Sequence, residues 1–120
     1  MPQSDGPFAE VALQLAAYRY AEAANSTYAM VNARMAESAV MEILDRPSRE
    51  LASMQEALAI ARNAKSRTAE AKALINLADI RLRRREFAAA ADLARQALAL
   101  AQTLGDGSLT ATSKANLGFA

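Results

Sequence analysis

Cysteine, histidine and tryptophan are absent from this chain of 120 residues, glycine occurs only four times and proline three. Without cysteine there is no disulfide, no thiolate nucleophile and no cysteine-ligated zinc. Without histidine the usual general base and the commonest metal ligand are both missing. So few glycines and prolines argue against strands joined by tight turns. Excess charge of one sign is lacking too: 14 basic against 13 acidic residues leave a net +1, which argues against a broad nucleic-acid footprint. No apolar run nears the roughly 20 residues that span a bilayer. The opening MPQSDGP lacks the charged-then-apolar character of a signal peptide. These absences fit a cytoplasmic protein, or a segment of one.

What is present is alanine, 31 of the 120 residues, within an apolar total of 52% and an aromatic total of only 5%. The length suits one domain, and a compact fold of this size buries roughly two-thirds of its unfolded surface. Hydrophobic surface spread thinly over alanine suits closely packed helices better than a bulky core.

The pattern is helical from Phe8 onward, after a tail at 1–6 expected to be disordered and a Pro7 placed for a first helical turn. Asn25-Ser26-Thr27 favours a cap, which separates a helix over about 8–24 from one over about 28–44; a single long helix is the alternative. Pro47 opens a third helix, about 48–64, with Leu51, Met54, Leu58 and Ala61 on one face. Lys65-Ser66-Arg67 breaks it from a fourth, about 68–84, bearing Leu74, Leu77 and Ile80. A fifth carries Phe87, Ala90, Leu93, Ala94, Ala97 and Ala101 and ends at Gly105, which suits a left-handed cap. A sixth starts at Ser108 and is unfinished at Ala120.

The chain matches itself at an offset of 40. Ala57-Leu58-Ala59-Ile60-Ala61 falls on Ala97-Leu98-Ala99-Leu100-Ala101, Ala71 on Ala111, and Asn76-Leu77 on Asn116-Leu117. Alanine matches are cheap in so alanine-rich a chain, whereas the Asn-Leu pair at one phase is informative.

These residues resemble the tetratricopeptide repeat, a family of stacked helix-turn-helix units. The best copy is 71–104, AKALINLADIRLRRREFAAAADLARQALALAQTL. Leu74, Leu77-Ala78 and Arg81 stand where the family has a large residue, a Leu-Gly pair and an aromatic. Phe87, Ala90, Ala94 and Ala97 stand on the second helix. Arg81 and Ala94 depart from expected aromatics, and Glu37 and Glu50 stand where an apolar and a small residue belong. The resemblance covers about 48–120 well and 8–47 in degenerate form. It implies a right-handed α-solenoid of antiparallel helix pairs over 7–120, about five full helices plus a truncated sixth, that forms part of a longer protein. The 40-residue period looks like the variety found in bacterial signalling proteins, among them diguanylate cyclases, and in large transcription activators. A regulatory or sensor role within such a protein is therefore one reading.

The resemblance also implies a concave face that binds a peptide or a neighbouring domain, lined by Lys72, Ile75, Asn76, Asp79, Leu82, Arg83 and Asn116. An asparagine amide both donates and accepts, as registration of a peptide backbone requires; the plain alternative is an asparagine that ties helices together. Ile75 and Asp79 stand where some family members have the Lys and Asn that clamp a chaperone's acidic C-terminus, so that activity is not carried over. Arg81, Arg83, Arg84 and Arg85 form the one dense charge run. They suit a phosphate, an acidic peptide or RNA, or simply complement the negative end of a helix. Met30, Met35, Met41 and Met54, with Tyr18, Tyr20 and Tyr28, suit either a pliable surface or an irregular core. Leu117 and Phe119, apolar at the end of the chain, suggest self-association. The carboxylate pairs Glu37/Glu42 and Asp79/Glu86 come with no nucleophile, metal cluster or phosphate loop. A non-catalytic protein with no cofactor is the expectation.

Overall fold

The computed structural model describes residues 26–119 and, before them, Ala9, Ala12, Leu13, Leu15, Ala16, Ala17 and Arg19; for Phe119 it describes the backbone alone. The expected tail at 1–6, Tyr18, Tyr20 and the Phe119 side chain lie outside the described residues. Among the described residues there is no strand, and the seven early positions are all helical. The continuous helices are α1 (Thr27–Ile43), α2 (Pro47–Asn63), α3 (Arg67–Arg83), α4 (Phe87–Leu104) and α5 (Gly107–Phe119).

The all-α expectation holds, and so does the break near residue 26. Ser26 is extended, with φ −97 and ψ 102, and its Oγ accepts the Ala29 N–H at 3.3 Å. A non-helical N-cap that satisfies an orphan donor starts a new helix and cannot lie inside an old one. Two helices therefore occupy the stretch that could have been one.

Helix starts fall at 27, 47, 67, 87 and 107, a constant step of twenty residues. The corners keep the same step. Asp45, Lys65, Arg85 and Gly105 all have positive φ, at 55, 56, 60 and 67. At each corner the next residue's N–H bonds back across the turn: Arg46 to Met41 O, Ser66 to Ala61 O, Glu86 to Arg81 O and Asp106 to Ala101 O, at 2.9–3.0 Å. This six-to-one closure with a left-handed residue is the Schellman ending. Glycine was expected to mark it, and only Gly105 does.

A side chain with a Cβ pays for the left-handed conformation by roughly 1–2 kcal/mol, partly offset by the greater freedom glycine loses on folding. Lys65→Gly is therefore expected to raise stability by about 0.5–1 kcal/mol, measured by urea unfolding. A variant that is less stable than the parent would show that the Lys65 side chain makes contacts worth more than its strain.

Contacts group the chain into two compact units, Met1–Ile60 and Ala61–Ala120. In the second, α4 packs on both α3 and α5, and α3 also meets α5. Ala71, Ala73, Leu74, Ala78, Ala90, Ala94, Ala97 and Ala101 are fully buried there. Alanine on facing helices lets the axes approach closely, toward the short end of the usual 8–10 Å. Phe87, expected on the apolar face of α4, is 48% exposed. It is the first residue of its helix, at a corner, where little packs over it.

In the first unit Val31, Ala33, Val40, Met41, Met54, Ala57 and Leu58 are buried. Met41 and Met54 are thus core residues, while Tyr28 is 73% exposed. The misfits Glu37 and Glu50 are buried too, at 3% and 5% exposure. Glu37 Oε2 lies 2.7 Å from Arg34 Nη1, and its Oε1 lies 3.6 Å from Arg49 Nη2. Arg34 Nε in turn lies 2.9 Å from Glu56 Oε2 on α2. The buried Ser38 Oγ donates to the Glu50 carbonyl at 2.8 Å. Polar groups thus join α1 to α2, and the Glu37 and Glu56 carboxylates and the Ser38 hydroxyl each have a partner on the same or the facing helix.

Candidate functional site

Helical spacing places Lys72, Asn76, Asp79 and Arg83 on one stripe of α3, since steps of four, three and four residues stay on one face. Lys72, Asp79 and Arg83 are exposed and Asn76 is half-buried. Asp79 Oδ2 and Arg83 Nε lie 3.3 Å apart, an i,i+4 pair along the stripe. At such exposure the pair contributes only a few tenths of a kcal/mol, so either partner is open to exchange for another.

Ile75 and Leu82 differ from the open apolar anchors that a groove would want. Ile75 is 8% exposed and Leu82 half-buried, so apolar contact to a ligand falls mainly to the uncovered part of Leu82. Asn116 comes from α5, 41 residues beyond Ile75, and its Nδ2 donates to the Ile75 carbonyl at 3.2 Å. Asn116 therefore ties α5 to α3, which is the plain alternative read from the sequence. One amide proton is committed to that carbonyl, and the second proton and the Oδ1 lone pairs complete its hydrogen-bonding capacity. The structure thus gathers six of the seven named residues on α3 and joins the seventh to them through a backbone carbonyl.

The arginine run is partly spent within the chain. Arg81 Nη1 lies 2.9 Å from Glu86 Oε2, and Arg83 is held by Asp79. Arg81 and Arg83 also lie in the last turn of α3, where cations complement the helix dipole. A second polar group lies elsewhere in the same unit. Arg62 Nε meets Glu70 Oε2 at 3.1 Å, Arg62 Nη2 donates to Gln96 Oε1 at 3.2 Å, and Gln96 Nε2 donates to Asp92 Oδ2 at 3.0 Å. This chain of contacts, which the sequence reading missed, links the end of α2 to α3 and α4. Its only sequence signal was a set of polar residues on otherwise apolar helices.

Among the described residues no group of three or more acidic, histidine or cysteine side chains could hold a metal ion. The carboxylates considered for acid–base work are differently placed: Glu37 is buried against two arginines, while Asp79 and Glu86 each face one. No helix among the described residues is long and apolar enough to cross a membrane. No family model matches the chain, and no curated protein matches it in sequence.

Proposed function

We propose that the chain is a non-catalytic interaction module of tetratricopeptide-like helix pairs, which binds an extended peptide segment of a partner along the exposed stripe of α3. The observation that carries this reading is the constant twenty-residue step of helix starts and left-handed corners. A backbone that repeats in this way is what a stack of helical hairpins requires, because each pair then meets the next through the same contacts. The stripe offers a cation at Lys72, an amide at Asn76 and an exchangeable ion pair at Asp79 and Arg83. Such a row suits a peptide of mixed charge held by its side chains and backbone. A regulatory role inside a larger signalling protein would use the same stripe to hold a neighbouring segment. RNA binding through Arg81–Arg85 draws less support, since two of these arginines already meet carboxylates of their own chain.

The test is selection of random displayed peptides on the immobilised full chain. Enriched peptides are expected to lose roughly tenfold in affinity on Lys72→Glu or Asn76→Ala, as for a central contact, and to be unaffected by Arg95→Glu on the exposed side of α4. Failure to enrich any peptide, or peptides sensitive to Arg95 and indifferent to Lys72 and Asn76, would remove this reading.

A further inference from the structure

The row of α3 that carries Lys72, Asn76, Asp79 and Arg83 stays open with the following helices in place, since α4 and α5 both meet α3. Forty residues earlier the row is Asn32, Ala36, Ala39 and Ile43, with the same degree of exposure at each position. That earlier row bears no charge, so openness alone does not call for charge on α3. The chain's own contacts leave two of the four side chains unused. Among the described residues Lys72 has no carboxylate within ion-pair distance and the Asn76 side chain makes no hydrogen bond, whereas Asn116 at the same phase donates to the Ile75 carbonyl. Asp79 meets Arg83 at 3.3 Å with its own side chain 58% exposed. The surrounding unit is basic: residues 61–120 carry ten basic side chains against five acidic ones. A field of that sign steers in a net acidic partner.

We infer, resting on the reading of α3 as the binding row, that the partner segment held there is a polyproline II stretch with an acid, a base and a second acid at every third residue. The pitch follows from the helix. At 1.5 Å per residue, Asp79 lies about 10.5 Å and Arg83 about 16.5 Å beyond Lys72. Polyproline II returns a side chain to the same edge every three residues, so its second and third stations fall at about 9.3 and 18.6 Å. Both lie within about 2 Å of their targets, a mismatch that long side chains absorb. A strand sets same-face side chains about 6.6 Å apart, and its stations at about 6.6, 13 and 20 Å straddle both targets. A docked helix matches the spacing but needs an apolar seam, and here Ile75 is 8% exposed and Leu82 half-buried. Polyproline II has no internal hydrogen bonds, so its carbonyls are open to the Asn76 amide.

The charges follow one by one. The first acid meets Lys72. The base meets Asp79, whose carboxylate has about four lone-pair sites and so accepts from more than one donor. The second acid meets Arg83, whose guanidinium carries several N–H donors in a fork and serves more than one acceptor. The base in the middle separates this ligand from a wholly acidic one, which Asp79 would repel.

The probes are fluorescent nine-residue polyproline peptides, titrated with the full chain and followed by anisotropy. The first carries glutamate at its positions 2 and 8 and lysine at 5, and is expected to bind saturably. A peptide with these charges exchanged should bind about tenfold weaker. Two others should each bind about threefold weaker: one with glutamate at all three positions, one with the original charges moved to positions 3, 5 and 7. The chain with Lys72→Glu, Asp79→Lys and Arg83→Glu together should prefer the exchanged peptide, a reversal that a purely structural role for these side chains would not produce. The inference is overturned if all four peptides bind alike, if the wholly acidic one binds best, or if none binds up to about 1 mM. Displayed peptides that still depend on Lys72 and Asn76 would then leave the binding row standing and remove only the charge pattern; failure of both removes the two together.

Discussion

Replacing Arg34 alone by leucine is expected to destabilise the chain by about 2–4 kcal/mol, because it strips a buried carboxylate of its closest counter-charge. Glu37 is 3% exposed, and Arg34 holds it at 2.7 Å. The loss should stay below that of a wholly isolated pair, since Arg49 remains 3.6 Å away on a side chain free enough to shift inward. The double change Arg34→Leu with Glu37→Leu should behave differently. It installs at 34 and 37 the residues that the chain carries forty positions later, Leu74 and Leu77, both buried. Exchange of a buried ion pair for apolar residues of similar volume is often neutral or stabilising by about 1–4 kcal/mol. The double variant is therefore expected to recover the parent's stability or exceed it. Urea unfolding of the two single variants and the double closes the cycle. Nearly additive losses would show that the two side chains act separately and that the pair is not the unit of stability.

Leu74→Ala is expected to cost about 2–5 kcal/mol, in the upper part of that range. Among the described residues Leu74 is the largest fully buried side chain. The cost of such a truncation depends on how far the surroundings collapse into the space left. Here the fully buried residues of α3 and α4 around that core are otherwise alanines: 71, 73, 78, 90, 94, 97 and 101. Alanine has no rotamer by which to swing into a void, so relief is left to Leu77 and Ile80, buried at 3% and 2% exposure, or to movement of whole helices. Leu82→Ala, at a half-buried position, serves as the comparison and should cost clearly less. A loss for Leu74→Ala of under about 1 kcal/mol would mean that the site collapses freely and that the alanine core is looser than its burial implies.

Much of this architecture could be read from residue types that act locally. Ser26, Pro47 and Gly105 mark helix ends through their own hydrogen bonds and torsions, so the expected boundaries fall within a residue or so of those observed. The polar run Lys65-Ser66-Arg67 marked a break, but neither Lys65 nor Arg85 signalled a left-handed torsion. Their left-handed torsions are imposed by the helices on either side, against the preference of the side chain, and only the step of forty hints at them. The burial of Glu37 was illegible for a related reason. A carboxylate looks like a misfit until the arginines that pair with it are placed, and Arg49 belongs to another helix. On the candidate stripe, the spacing of Lys72, Asn76, Asp79 and Arg83 fixed their common face. That Ile75 would be largely covered, and that Asn116 would spend a proton on its carbonyl, depended on how closely α5 approaches α3. Alanine content suggests such an approach without giving its register.

The identity of the four corners also bears on how such a chain can change in length. Excision of residues 45–84 would join Leu44 to Arg85, which has the same torsion that Asp45 has now. The segment before the junction would find its capping geometry already in place, and insertion of forty residues at a corner would meet the same condition. Growth or shrinkage by whole hairpins therefore asks for no new turn. Gain or loss of a few residues inside a rod would rotate every side chain beyond it away from its neighbours.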